Sequence, residues 1–83
     1  MKDLSLMDFV VYSRRSCHLC DDFLAELEPL CRDRAKIIVR NVDSETSWVN
    51  AYGDAIPVLV SDGVEVCRYK LDRDAVLRLF QDE

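Results

Sequence analysis

Two cysteines three residues apart are the part of this sequence best suited to chemistry. Cys17 and Cys20 enclose His18 and Leu19, and one helical turn at this CxxC spacing brings the two sulfurs within reach of a disulfide bond. An apolar run before the pair predicts a strand and a periodic run after it predicts a helix, so the pair stands where a helix begins. Free N–H groups and the helix dipole favour a thiolate there, and the thiol pKa in such motifs falls from ~8.5 to ~3.5–7.5. We expect thiol–disulfide chemistry, with Cys17 as the more exposed sulfur.

Charged neighbours are expected to tune the pair. Arg14 and Arg15 lie just upstream and add positive potential, which the two aspartates after Cys20 partly offset. We expect the arginines to steer substrates toward the pair rather than to form only a solvated loop. A protonated His18 would favour the thiolate of Cys17. An exposed loop histidine with little effect on the pair is the alternative.

Metal binding is the main competing use of a CxxC pair. A structural zinc site needs four ligands, in general from two close pairs, and this chain has one such pair. Cys31 lies eleven residues beyond Cys20, which is roughly 16 Å along a helix at about 1.5 Å per residue, so it cannot join the same site. We expect no metal, and we expect Cys31 and Cys67 to be structural thiols. Metal or iron–sulfur carriage through Cys17 on a dimer stays open.

The hydrophobic pattern predicts the elements that must position the pair. Strands are predicted over Leu6–Tyr12, Lys36–Val42, Val58–Val60 and Val64–Tyr69. Helices are predicted from Cys17 to Cys31, more weakly over Asp43–Tyr52, and after Asp72. This order indicates an α/β fold in one domain over residues 1–83, with a four-stranded mixed sheet flanked by helices. The first two strands should pair in parallel.

Local signals predict where these elements begin and end. Ser16 is the expected N-cap of the first helix, and Pro29 should kink that helix or end it early, because proline lacks an N–H. A tight turn ending at Gly63 should join the last two strands into a hairpin, whose second strand lies at the sheet edge. Asp72 should cap the last helix. In the second strand, Ile37, Ile38 and Val39 are expected to be buried, and Asp43 or Ser44 should cap the helix that follows it.

Composition excludes several classes of function. The 83 residues include 16 acidic and 11 basic side chains, a net charge of −5, whereas a nucleic-acid partner demands a basic face. Anionic membranes are excluded for the same reason, and no run approaches the ~20 apolar residues that cross a bilayer. Because residues 1–11 lack a secretory signal pattern, we expect a cytoplasmic protein. We also expect it to be a monomer.

Two separated segments resemble glutaredoxins. The segment Tyr12–Cys20, YSRRSCHLC, is similar to the signature Y-T-K-x-x-C-P-Y-C, and Tyr52–Val60, YGDAIPVLV, is similar to Y-G-V-x-x-V-P-x-x, whose proline is cis. The resemblance covers nearly the whole chain and implies the glutaredoxin and thioredoxin fold. It also implies that Cys17 attacks a substrate disulfide and that Cys20 resolves the intermediate.

The same resemblance implies which residues contact the substrate. Ile56 and Pro57 should face the nucleophile and pair with the substrate backbone, and His18 stands where the signature has a proline. Arg14 falls where glutaredoxins place a lysine that contacts the carboxylate of glutathione. The family's Gly-Gly pair, expected within residues 68–71, is missing. Because that pair helps to seat glutathione, we expect glutathione to be used poorly.

The sequence therefore predicts a dithiol–disulfide oxidoreductase without a bound cofactor. Its substrate would be a disulfide-containing protein or a small thiol, and its electron donor would be glutathione or a reductase. A thioredoxin-like module that binds a protein partner without turnover is the alternative function.

Overall fold

Four strands and three helices follow one another along residues 7–81, the residues that the computed structural model describes. They are β1 (Met7–Ser13), α1 (His18–Cys31), β2 (Ala35–Asn41), α2 (Thr46–Tyr52), β3 (Val58–Ser61), β4 (Val64–Arg68) and α3 (Arg73–Gln81). A 3-10 turn over Val42–Ser44 connects β2 to α2. Leu6, predicted to begin the first strand, lies outside the described residues.

The strands form one mixed sheet in the order β2-β1-β3-β4. The strand β1 pairs in parallel with β2 and antiparallel with β3, and β3 and β4 form an antiparallel hairpin. Parallel strands need a long crossover connection, which α1 supplies between β1 and β2. The predicted α/β fold with a four-stranded mixed sheet is confirmed, as are the parallel pairing of the first two strands and the edge position of β4.

One face of the central strand β1 carries the main core. Phe9 and Val11 point to the same face because strand side chains alternate, and both are fully buried. They pack with Phe23 and Leu27 of α1 and with Val76 of α3 in one cluster. Burial of these side chains holds α1 against the sheet, and it therefore fixes where the first turn of α1 lies relative to the end of β1.

The end of β1 is also held by an aromatic group around Tyr12. The ring of Tyr12 stacks on Tyr52 at 4.4 Å between centroids and meets Trp48 edge-on at 5.4 Å. The guanidinium of Arg40 lies 5.2 Å from the Trp48 ring centroid and donates to the Tyr12 hydroxyl at 3.3 Å. These contacts join α2 and β2 to the strand that leads into the CxxC loop.

The predicted start of the first helix needs correction. Ser16 is not its N-cap, because Ser16 has a left-handed backbone (φ +57°), whereas an N-cap residue is in general extended. Cys17 has the extended conformation (φ −106°, ψ 105°) and is the cap itself. The helix ends at Cys31, as predicted, and does not end early at Pro29, which lies inside it.

The region after α1 also departs from the predictions. Val39 is 52% exposed, and Ile37 and Ile38 are only half-buried, because β2 is an edge strand with a neighbour on one side only.

Neither Asp43 nor Ser44 caps α2. The carboxylate of Asp43 is bound elsewhere, the Ser44 hydroxyl donates to a backbone carbonyl, and α2 begins without a side-chain cap.

The last helix begins as predicted. Asp72 accepts a hydrogen bond from the N–H of Ala75 at 3.1 Å, which satisfies one of the free donors of the first turn of α3. The hairpin before it turns at Asp62 and Gly63, both with positive φ.

Within residues 7–81, no helix is long and apolar enough to cross a membrane.

Candidate active site

Cys17 and Cys20 are joined by a disulfide at the N-terminus of α1. Their Cα atoms are 5.2 Å apart, a separation typical of disulfides. Cys17 is half-buried, whereas Cys20 is only 2% exposed and belongs to the buried face of the helix. The prediction that Cys17 is the more exposed sulfur is confirmed.

The sulfur of Cys17 occupies the capping position of the helix. It accepts a hydrogen bond from the backbone N–H of Cys20 at 3.1 Å, and the Cys17 carbonyl accepts one from the N–H of Asp21 at 3.0 Å. An N-cap acceptor faces the free N–H groups and the positive end of the helix dipole. Negative charge on this sulfur is therefore stabilised by the backbone itself.

Arg14 is bound to an acidic partner at the edge of the site. Its Nε and Nη2 donate to the two carboxylate oxygens of Asp43 at 2.8 and 2.9 Å, and its Nη1 lies 3.4 Å from the carbonyl oxygen of Gly53. The Arg14 hydrogen bonds hold the pKa of Asp43 below its usual value. A Cβ atom on Gly53 would lie 2.6 Å from the Val49 carbonyl oxygen, so a larger residue would have to shift the backbone at this position.

Ile56 and Pro57 lie at the same end of the central strands as the CxxC loop. Their peptide bond is cis, Pro57 is buried and Ile56 is half-buried. Because Val58 pairs with Tyr12 in the antiparallel β1–β3 ladder, the residues just before β3 lie beside the end of β1. The carbonyl of Pro57 accepts a hydrogen bond from the N–H of Tyr69 at 2.8 Å.

His18 completes the set of predicted site residues. It is exposed in the first turn of α1, next to the half-buried Cys17. The predicted site residues thus lie at one end of the two central strands, where β1 ends, α1 starts and β3 begins. They are Arg14, Cys17, His18, Cys20, Ile56 and Pro57.

Comparison with known proteins agrees with this arrangement. The sequence model of the glutaredoxin-like domain family (DUF836) matches residues 8–81, which include both segments described above. The chain belongs to this family. The solution NMR structure of protein Ne2328 from Nitrosomonas europaea is similar to it, with 30% sequence identity, a TM-score of 0.83 and coverage of 95% of this chain and 96% of that one. No curated protein matches the chain.

The other two thiols of this glutaredoxin-like domain have raised pKa values. Cys31 is 1% exposed, and burial, with a contribution from Glu28, raises its pKa to about 11. Cys67 is half-buried on β4, and burial raises its pKa as well. Both sulfurs therefore stay protonated at neutral pH. Among residues 7–81, no group of three or more His, Cys, Asp or Glu side chains is arranged to hold a metal ion.

Tyr69 belongs to the segment in which the Gly-Gly pair is missing, and from the sequence its side chain and that of Lys70 are expected to lie near the groove that would bind glutathione. Its backbone has φ +69°, an unusual conformation for a bulky residue. Its hydroxyl lies 3.3 Å from the carbonyl oxygen of Asp54, so the side chain bridges to the loop before Ile56. The missing Gly-Gly pair was the available signal, because a glycine adopts positive φ without strain.

Proposed function

We propose that this glutaredoxin-like protein reduces disulfides by thiol–disulfide exchange, with Cys17 as the nucleophile and Cys20 as the resolving thiol. The observation that carries the proposal is the Cys17 sulfur at the helix cap, where it accepts the Cys20 N–H and is bonded to the Cys20 sulfur. The thiolate is the reactive form of a cysteine, and a helix N-terminus favours it.

The exchange takes two steps. In the reduced protein, the thiolate of Cys17 attacks one sulfur of the substrate disulfide, the substrate S–S bond breaks, and one substrate thiolate leaves and takes a proton from solvent. Cys20 loses its proton and attacks the Cys17 sulfur of the mixed disulfide, which releases the second thiolate. Two electrons have passed to the substrate, and the Cys17–Cys20 disulfide is the oxidised product.

The exposure of the two sulfurs supports this division of roles. The half-buried Cys17 can be reached by a substrate, whereas Cys20 is almost completely buried behind it. Cys20 has its partner already in place, so its attack is effectively unimolecular. The raised pKa values of Cys31 and Cys67 argue against their competing for the mixed disulfide.

Glutathione is the weaker of the two candidate electron donors in this proposal. The guanidinium of Arg14, which would bind a glutathione carboxylate, already makes a bidentate contact with Asp43. Glutathione would have to displace Asp43 to bind there. The side chain of Tyr69 stands where the glutaredoxin pattern has glycine. We therefore favour a reductase as the electron donor. The proposed substrate is a disulfide-containing protein or a small-molecule disulfide, which would contact Arg14, His18, Ile56 and Pro57. The proposed working form is a cytoplasmic monomer.

A parallel turnover assay tests the proposal. Reduction of bis(2-hydroxyethyl) disulfide would be followed with glutathione and glutathione reductase in one series, and with thioredoxin reductase in the other, both driven by NADPH. We expect turnover, faster in the second series. Cys17→Ser should abolish it, and the matched variant Cys67→Ser should retain it.

Two outcomes contradict the proposal. Wild-type protein that turns over in neither series would favour the non-catalytic binding module instead. Equal activity of Cys17→Ser and wild type would remove the proposed nucleophile.

A further inference from the structure

A groove begins inside the CxxC motif and runs along α1. It has a volume of about 330 Å³ and lies between α1 and the connection from β4 to α3. Its lining residues are Leu19, Asp22, Phe23, Glu26, Tyr69, Lys70 and Leu71. Because Leu19 lies between the two active-site cysteines in sequence, any chain that is disulfide-bonded to Cys17 starts next to this groove.

The end of the groove near the cysteines is apolar. Leu19 is 56% exposed and Tyr69 is 49% exposed, while the buried Phe23 and the half-buried Leu71 complete the lining. Large exposed apolar side chains beside a reactive group are typical of contact surfaces. The hydrogen bond from the Tyr69 hydroxyl to the Asp54 carbonyl keeps this wall in place.

The far part of the groove is acidic. Asp22 and Glu26 are both exposed and lie one helical turn apart on the same face of α1. The ion pairs between described residues use other carboxylates, those of Glu28, Asp43 and Glu65. Lys70 stands among the lining residues as well, so the two carboxylates against one ammonium leave a net negative charge.

The length of the groove limits what can fill it. Leu19 and Glu26 are seven residues apart, which corresponds to roughly 10 Å along a helix. An extended peptide covers about 3.3 Å per residue, so about three residues span the distance. A polypeptide can reach from the cysteine to the acidic end, whereas glutathione would bring carboxylates toward it.

From these features, and on the basis of the proposed reductase function, we infer that the groove is a docking subsite for a polypeptide substrate. It takes the segment on one side of the substrate cysteine, with an apolar residue next to that cysteine and a basic residue about three positions away. The apolar residue packs between Leu19 and Tyr69, and the basic residue pairs with Asp22 and Glu26. The substrate class is thus a disulfide in a locally basic polypeptide.

Single-turnover reduction of short peptides tests this inference. Capped peptides Cys-Leu-Ser-Arg, Cys-Leu-Ser-Glu and Cys-Ser-Ser-Arg, and their reversed sequences, would each be joined by a disulfide to 2-mercaptoethanol. Protein reduced with dithiothreitol and desalted supplies the two electrons. For one of the two sequence directions, we expect the Leu–Arg peptide to react about twofold to fivefold faster than its Glu counterpart at low salt, which is the range for exposed charge pairs. Replacing Leu with Ser should slow the reaction, and ~0.5 M salt should shrink the charge preference.

Variants show whether the preference arises in the groove. The double variant D22N/E26Q should lower the Arg-to-Glu rate ratio to about one. D21N is the matched control, since Asp21 is closer in sequence to Cys17 but does not line the groove, and it should keep the wild-type ratio. The single variant D22N removes the same charge as D21N, so a general field effect would lower the ratio in D21N at least as much as in D22N, and would overturn the inference.

The uncharged bis(2-hydroxyethyl) disulfide distinguishes a failure of the docking inference from a failure of the proposed reductase function. If reduced wild type reacts with bis(2-hydroxyethyl) disulfide but does not distinguish the peptides in either direction, the groove assignment is wrong and the reductase function stands. If it reacts with none of these disulfides, the proposed function fails, and the docking inference fails with it.

Discussion

The guanidinium of Arg14 holds both carboxylate oxygens of Asp43, with Nε–Oδ2 and Nη2–Oδ1 distances of 2.8 and 2.9 Å. The two residues are 29 positions apart in the chain, and the pair ties the loop before Cys17 to the turn after β2. Since a bidentate carboxylate uses the guanidinium in the geometry that a substrate carboxylate would need, Asp43 competes with anionic ligands for Arg14.

Asp43→Ala should therefore strengthen glutathione binding. Exposed ion pairs are weak, so we expect the dissociation constant to fall by at most about fivefold. NMR titration with S-methylglutathione, which cannot exchange with thiols, measures it. Glu65→Ala is the matched control, because Glu65 also pairs with an arginine, Arg68. Equal effects of the two variants would mean that net charge alone is responsible.

Cys17 and the two thiols outside the CxxC pair should differ in reactivity. In reduced protein at pH 7, we expect iodoacetamide to modify Cys17 first, Cys67 more slowly and Cys31 last, because exposure and pKa set the thiolate fraction that the reagent meets. Peptide mass spectrometry over a time course gives the order. Modification of Cys31 before Cys17 would be incompatible with the burial of Cys31.

Trapping should reveal the order of attack. Cys20→Ser retains the attacking thiol but cannot resolve, so it should accumulate a mixed disulfide through Cys17 with a disulfide substrate. Intact-mass measurement followed by peptide mapping identifies the bonded cysteine. Cys17→Ser, treated identically, should trap little, and an adduct on Cys31 or Cys67 in both variants would point to another site.

Alkaline pH should destabilise the fold through Cys31. Its thiol has an ordinary pKa of 9.0 when unfolded and about 11 when folded, so the folded state keeps a proton that the unfolded state loses. The contribution to stability is complete below pH 9 and is lost as the pH rises toward 11, by about 2–3 kcal/mol at most. Urea unfolding of the oxidised protein at pH 8 and pH 10.5 measures the loss. Cys31→Ala should show a smaller loss, and identical losses would contradict the assignment.

Tyr69→Gly should open the site to glutathione. Glycine adopts the positive φ of residue 69 without strain, so the fold should tolerate the change, and the side chain that stands in place of the family's glycine is removed. We expect tighter binding of S-methylglutathione in an NMR titration. Tyr69→Phe, which keeps the ring and loses only the hydroxyl bond to Asp54, should bind as weakly as wild type. If both variants bind alike, the ring does not obstruct glutathione.

The position of the CxxC pair within the fold could be predicted largely from the local sequence. The strand-to-helix context of Cys17 and Cys20, the greater exposure of Cys17 and the cap at Asp72 all follow from periodicity and from residues within one or two helical turns of each other. Local errors were small: the helix begins one residue later than predicted, because a left-handed Ser16 leaves Cys17 as the cap.

Relationships across the chain depended on the tertiary structure. No sequence pattern places Asp43 on Arg14, and none brings the Tyr69 hydroxyl to the Asp54 carbonyl, because each contact requires separate elements to pack in a particular register. The exposure of Val39 also could not be predicted from the sequence. A β-branched run predicts a strand, but it does not indicate whether that strand lies at a sheet edge. The sequence by itself determined that the two cysteines of the CxxC motif stand at the start of a helix, because that relationship is local. The packing decided that Arg14 is already paired with Asp43 and that a groove lies beside the CxxC motif.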